Sequence, residues 1–199
     1  LRYSMDGVFP TTGNYFSDTV NPKRWKQIQK HLGITMKEWR PQGVHVLICT
    51  QRNGGWSMGG IGVVDWLTRT IKQVRKHTDR PIIVRGHPGD KHAPKYLKNK
   101  DWHVSTAPSL VDDLRNAPCS ITHNSSPSVA SAIEGIPTFV TDPNPQVSQA
   151  HAVANTDLSL LENPLMFERT EWVQKLAMCH WNFDELSSGE AWSHMRDYV

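Results

Sequence analysis

The chain has 199 residues, 38% of them hydrophobic and 21% charged, with a formal net charge of +3. That length suits one domain of about 100–200 residues, and the composition excludes both a disordered charged tail and a membrane protein, because no apolar run approaches the roughly 18 residues of a spanning helix. The mild positive charge excludes little; eight Trp, thirteen Pro and ten His are the unusual counts.

Three widely spaced cysteines, Cys49, Cys119 and Cys179, form no C-x-x-C pair. They make neither a disulfide framework nor a zinc site, so a reducing, cytoplasmic setting is expected. The sequence opens on Leu1 without a basic and then apolar leader, so no secretory signal is expected. Arg2-Tyr3-Ser4 reads as the middle of a longer chain.

Residues 1–22 are rich in Gly, Pro, Asn and Thr, with scattered Tyr3, Phe9, Tyr15 and Phe16, and read as a loop or linker. Asn21-Pro22 predicts a helix start, with Trp25, Ile28 and Leu32 on one face and Gly33 as the stop. Val44 to Cys49 is a buried strand. A glycine-rich stretch over 50–60 leads into a helix with Val63, Trp66, Leu67, Ile71 and Val74 at helical spacing. Ile82 to Arg85 is a second strand, ending in Gly86-His87-Pro88. A short strand over Trp102 to Ser105 and a helix from Pro108-Ser109 through Leu114 follow, with Asp112-Asp113 expected to cap or face solvent.

Ser120 to His123 is another strand. Asn124-Ser125-Ser126-Pro127 then predicts a helix with Ser126 as N-cap and Val129, Ala132 and Ile133 buried, ending at Gly135. Ile136 to Val140 completes the strands, and Thr141 to Gln149 is a loop. The tail reads as two helices, around Trp172–Cys179 and Glu185–Tyr198, with Trp172, Trp181 and Trp192 as buried contacts. Strands alternating with helices predict an α/β, Rossmann-like parallel sheet with a helical C-terminal tail. The division expected is 1–43 as linker and helix, read as a remnant of an acceptor domain, 44–155 as the α/β domain, and 156–199 as the tail.

In open parallel sheets, ligands bind beyond the carboxyl ends of strands. There the sequence places Gln51-Arg52 and the glycine loop with Trp56, then Arg85-Gly86-His87-Pro88, then Asn124-Ser125-Ser126 before a helix N-terminus. Hydroxyls, an imidazole, arginines and open amides on one rim suit a phosphate. The expected ligand is a nucleotide carrying a transferable group. The glycines match neither G-x-x-x-x-G-K-[ST] nor G-x-G-x-x-G, which disfavours a P-loop or an ordinary dinucleotide site. No H-x-x-x-H or D-x-D stands out, so no metal is expected.

Over residues 44–199 the sequence resembles the C-terminal, donor-binding half of GT-B glycosyltransferases. The nearest flavour is the sialyl-, Kdo- and CDP-glycerol-type group with His-Pro and Ser-Ser motifs, here His87-Pro88 and Ser125-Ser126, with Gly135-Ile136-Pro137 after the next helix. It is also similar to phage and bacterial glycosyltransferase-like proteins through Gln51-Arg52-x-x-Gly55-Trp56 and Glu162-Asn163-Pro164.

The resemblance implies that His87 touches the donor phosphate and that Ser125 and Ser126 hold phosphate oxygens. Arg52 and Arg85 are added from charge and strand-end position, and Gln51, Trp56 and Asn124 as further donor contacts. The expected co-substrate is a UDP- or CMP-linked sugar, with no cofactor and with a polysaccharide or DNA as acceptor. Relatives of this type place a Glu about five residues before the helix-ending glycine, where this chain has Ala130. The catalytic base is not identified; Asp6, Asp18 and Asp65 read as surface or capping carboxylates.

Two other readings stand beside this one. CDP-alcohol-dependent phosphotransfer shares the same motifs. A basic nucleic-acid-binding module would use Lys23, Arg24, Lys26 and Lys30 near Trp25, and Lys91, Lys95, Lys98 and Lys100 near Tyr96.

Overall fold

The computed structural model describes Leu1 and residues 20–198. Tyr3, Asp6, Phe9, Tyr15, Phe16 and Asp18 lie outside the described residues. Five strands, β1 (Val46–Cys49), β2 (Ile82–Arg85), β3 (His103–Val104), β4 (Ser120–Thr122) and β5 (Thr138–Val140), form one sheet. Their order is β3-β2-β1-β4-β5, and every pairing is parallel. Parallel neighbours need crossover connections, and these supply the helices: α2 (Val63–Val74) between β1 and β2, α3 (Ala93–Tyr96) and α4 (Leu110–Leu114) flanking β3, and α5 (Pro127–Ile133) between β4 and β5. The expected α/β, Rossmann-like class is therefore the observed one.

The central strand is buried on both faces, which explains its unbroken apolar run. Side chains alternate across a strand. Val46 and Ile48 accordingly pack with Val63, Trp66, Leu67 and Ile71 of α2, while Leu47 and Cys49 pack with Leu114, Ala117 and Ile136 on the other side. The strand starts at Val46 rather than Val44, which is exposed and holds the Asn116 carbonyl through its amide instead of a strand neighbour.

Preceding the sheet, α1 (Pro22–Leu32) begins as its sequence dictates. The Asn21 side chain accepts the Lys23 amide, and Gly33 closes the helix at φ 63°. Trp25 is buried, but Leu32 is exposed and Arg24 takes a buried place instead. The guanidinium of Arg24 grips Glu185 and the His180 carbonyl and lies 4.1 Å from the Trp181 ring centre. That enclosure explains how a charge enters the interior.

On α5, Ala132 is buried as expected, while Val129 and Ile133 are half-buried. The sheet-facing residues are Ser128 and Ser131, both fully buried. Ser120 Oγ donates to Ser131 Oγ at 2.8 Å, and Ser131 Oγ donates to the Pro127 carbonyl at 2.8 Å. Small hydroxyls allow α5 to sit close to β4 while the Ser120 and Ser131 hydroxyls stay hydrogen-bonded.

The tail holds three short helices rather than two: α6 (Thr170–Ala177), α7 (Phe183–Ser187) and α8 (Glu190–Met195). Asn182 and Glu185 form a capping box that starts α7, and Gly189 at φ 81° separates it from α8. Trp172 and Trp181 are buried, whereas Trp192 is half exposed. Helix α6 packs on α1, and Trp172, Val173 and Leu176 share a core with Trp25, Ala132 and Val153. Residues of α1 and α6 thus share a core with α5 beside the sheet. Among the described residues, no helix is long and apolar enough to cross a membrane.

Candidate functional site

The order of strands fixes where a ligand can enter. From β1 the chain moves outward to β2 and β3, then returns to the opposite side of β1 as β4 and β5. The connections after β1 and β4 therefore diverge and leave a crevice at the carboxyl ends of these two strands. A cleft of about 450 Å³ opens there. It is lined by all eight residues singled out in the sequence: Gln51, Arg52, Trp56, Arg85, His87, Asn124, Ser125 and Ser126.

Two of the eight hold the walls together. Gln51 Nε2 donates to Ser57 Oγ at 2.7 Å, and Gln51 Oε1 accepts the Asn124 amide at 3.2 Å. Asn124 Nδ2 donates to the Ser57 carbonyl at 2.9 Å and to Asp142 Oδ2 at 2.6 Å. Their amides pin the 3-10 turn at Trp56–Met58 against the loop after β4, while both residues also line the cleft. Asp90 secures the same glycine-rich loop from the other side. It accepts the Asn53 amide and the Tyr96 hydroxyl, at 2.9 and 2.6 Å. These donors, the Tyr96 hydroxyl first, hold the Asp90 carboxyl below its usual range.

His87, Arg52, Trp56 and Ser125 also line the cleft. His87 Nδ1 accepts the Gly89 amide at 3.0 Å, so the neutral ring carries its proton on Nε2. Among the described residues nothing bonds that Nε2. Arg52 is exposed on the rim and makes no ion pair among the described residues. Trp56 stands beside it, 68% exposed. Ser125 Oγ is buried in the cleft wall with no hydrogen-bond partner.

Ser126 does not act as the expected N-cap. It has helical backbone angles, and its side chain makes no capping bond. The Ser128 and Val129 amides instead donate to the Ser125 and Ser126 carbonyls, at 3.2 and 3.0 Å. The first turn of α5 therefore offers a phosphate fewer open amides than the sequence suggests. What it does present are the amides of Ser125 and Ser126 themselves, which have no partner among the described residues.

Arg85 is likewise only in part what was expected. Its Nη1 lies 2.6 Å from Asp113 Oδ2 and 3.2 Å from both the Ala107 and Ser109 carbonyls. Asp113, expected at the surface, is 5% exposed and also accepts Ser105 Oγ at 2.7 Å. The charge of Arg85 is balanced from below, and its contribution to the cleft is geometry more than field.

Among the described residues no Asp or Glu lines the cleft. Cys49 is in its floor, but burial pushes its thiol up to about 12, so it stays a neutral thiol. Gln149 in the wall was not foreseen from the sequence, where it looked like part of a loop. The sequence offers no signal for it: Val147 and Gln149 line the cleft from a bend and a turn, with Ser148 between them fully buried.

The basic clusters proposed for nucleic acid lose their aromatic partners. Trp25 is in the core with Arg24 paired beside it, and the Tyr96 hydroxyl is bonded to Asp90. No protein-family model matches the chain, and no curated protein matches it.

Proposed function

We propose that the protein is a nucleotide-sugar-dependent glycosyltransferase whose donor phosphate lies in the cleft between β1 and β4. One observation carries the reading. A crevice at the sheet's switch point gathers Arg52, the His87 imidazole and Ser125, with no carboxylate among the described residues of its lining to oppose an anion. The resemblance to GT-B donor domains supplies the reaction class.

The chemistry follows from those groups. An acceptor hydroxyl attacks the anomeric carbon, a new C–O bond forms, and the bond from that carbon to the donor phosphate breaks. The electron pair leaves with the phosphate. Arg52 and the imidazole N–H meet the negative charge where it grows, which lowers the barrier more than it tightens the ground state. The acceptor proton passes to a base that is not a carboxylate of the described cleft lining, which holds none.

The test is thermal melting and calorimetry of the full chain with a panel of UDP- and CMP-linked sugars, followed by an assay for sugar transfer or donor hydrolysis. A ligand at one hundred times its dissociation constant stabilises by about 2.7 kcal/mol, well within detection. An unshifted melting curve across the whole panel would rule the reading out. Product masses that gain phosphorus would instead assign phosphoalcohol transfer.

A further inference from the structure

Two residues of the cleft lining, Ser125 and Gln149, each carry a buried side-chain atom without a hydrogen-bond partner among the described residues, Ser125 Oγ and Gln149 Nε2. Ser125 belongs to the phosphate rim already described. Gln149 has no such assignment. It is nine-tenths buried, and its Nε2 has no hydrogen-bond partner among the described residues. The backbone there is held firmly, because Trp172 Nε1 of α6 donates to the Gln149 carbonyl at 2.7 Å and Ser148 and Ala150 are fully buried on either side. A fixed, desolvated amide with an open valence is costly in the empty protein unless something else completes it.

The surroundings say what completes it. Val147, Leu110 and Pro127 line the cleft with Gln149, and Trp56 stands on its rim. Cations and the imidazole belong to the other lining segments, at Arg52, Arg85 and His87. A flat, largely apolar group with a donor–acceptor edge fits an amide among aliphatic side chains, and a phosphate does not. Binding pockets of this make-up fix orientation with a few polar groups.

We infer that Gln149 reads the nucleobase of the donor, and that its amide makes the hydrogen bond by which a pyrimidine is recognised. This rests on the nucleotide-sugar reading above. An amide can present either its N–H or its C=O, so it accepts both uracil and cytosine. A carboxylate in the same place accepts a hydrogen bond from the cytosine amino group but repels the uracil carbonyl oxygen.

The experiment is isothermal titration of the full chain with UMP, CMP, ribose 5-phosphate and inorganic phosphate. It compares wild type with Gln149→Leu, Gln149→Glu and Arg52→Ala. The wild type is expected to bind UMP and CMP more tightly than ribose 5-phosphate. Gln149→Leu is expected to lose about tenfold for both nucleotides and nothing for ribose 5-phosphate. Gln149→Glu should lose UMP and keep CMP. Arg52→Ala should weaken every phosphate-bearing probe alike. Without ligand, Gln149→Leu should melt no lower than wild type, because it removes an unsatisfied amide.

Equal losses for UMP and ribose 5-phosphate in Gln149→Leu, or no loss for either, would overturn the assignment while leaving the nucleotide site intact. Failure of all four probes to bind the wild type would sink the nucleotide reading itself, and the role of Gln149 with it.

Discussion

His87 can present a proton to the cleft because its other ring nitrogen already accepts the Gly89 amide. Replacing it with Ala removes that donor from a half-exposed position, so nucleotide affinity should fall about tenfold with little change in melting temperature. Arg52→Ala should behave alike and also flatten the salt dependence of binding, both read by titration at two ionic strengths. Asp113 lies deeper and predicts the reverse pattern. Asp113→Ala strands the Arg85 guanidinium and should cost about 3 kcal/mol in urea denaturation. The eight cleft residues were legible because strand ends, Gly-Pro punctuation and charge are local features of the chain. The pairing of Arg85 with Asp113 was not, since it depends on how far α4 reaches across the sheet. Nor was the burial of Arg24, which needs Glu185 and Trp181 from the far end of the sequence.

β1, β2 and β5 were foreshadowed by apolar runs preceded by glycine or proline, and each long helix by its periodic face. What periodicity could not supply was the inward face of α5, where Ser128 and Ser131 are chosen for close approach rather than for hydrophobicity. The turn after that helix makes an independent test. Gly135 has φ 76°, and a Cβ there would fall on the Glu38 carbonyl. Its own carbonyl accepts the Arg40 amide at 2.6 Å, which ties the 34–40 segment to the end of α5. Gly135→Ala therefore combines an unfavourable backbone with a backbone clash. The expected loss exceeds the roughly 1 kcal/mol of the conformational term alone and should appear as a lowered urea midpoint with an unchanged slope.

Across the whole molecule, the two chain ends meet through charge. Arg24 of α1 holds the Glu185 carboxyl of α7 below its ordinary value of 4.5, with the Asn182 amide helping. The folded protein then binds that proton less tightly than the unfolded chain does. The resulting stability is complete above pH 4.5 and is lost as pH falls toward the lowered folded value. Melting temperature should therefore decline below about pH 4.5, and Glu185→Gln should melt lower at neutral pH with a shallower acid limb. The sequence divided this chain into flanks and a middle because composition changes near residues 43 and 155. Packing unites them, since Trp25, Ala132 and Trp172 share one core.

The central position of β1 also dictates a timetable for the newborn chain. Its first neighbour, β2, begins at Ile82, so Val46 and Ile82 can pair early in synthesis. Its second neighbour starts only at Ser120, which pairs with Leu47. Until the ribosome has delivered that segment, the most apolar strand of the protein carries one bare edge and one uncovered face, at Leu47 and Cys49, that Leu114 and Ile136 will later shield. Chains arrested between β3 and β4 should therefore be captured by holdase chaperones, and capture should end once β4 and β5 are released.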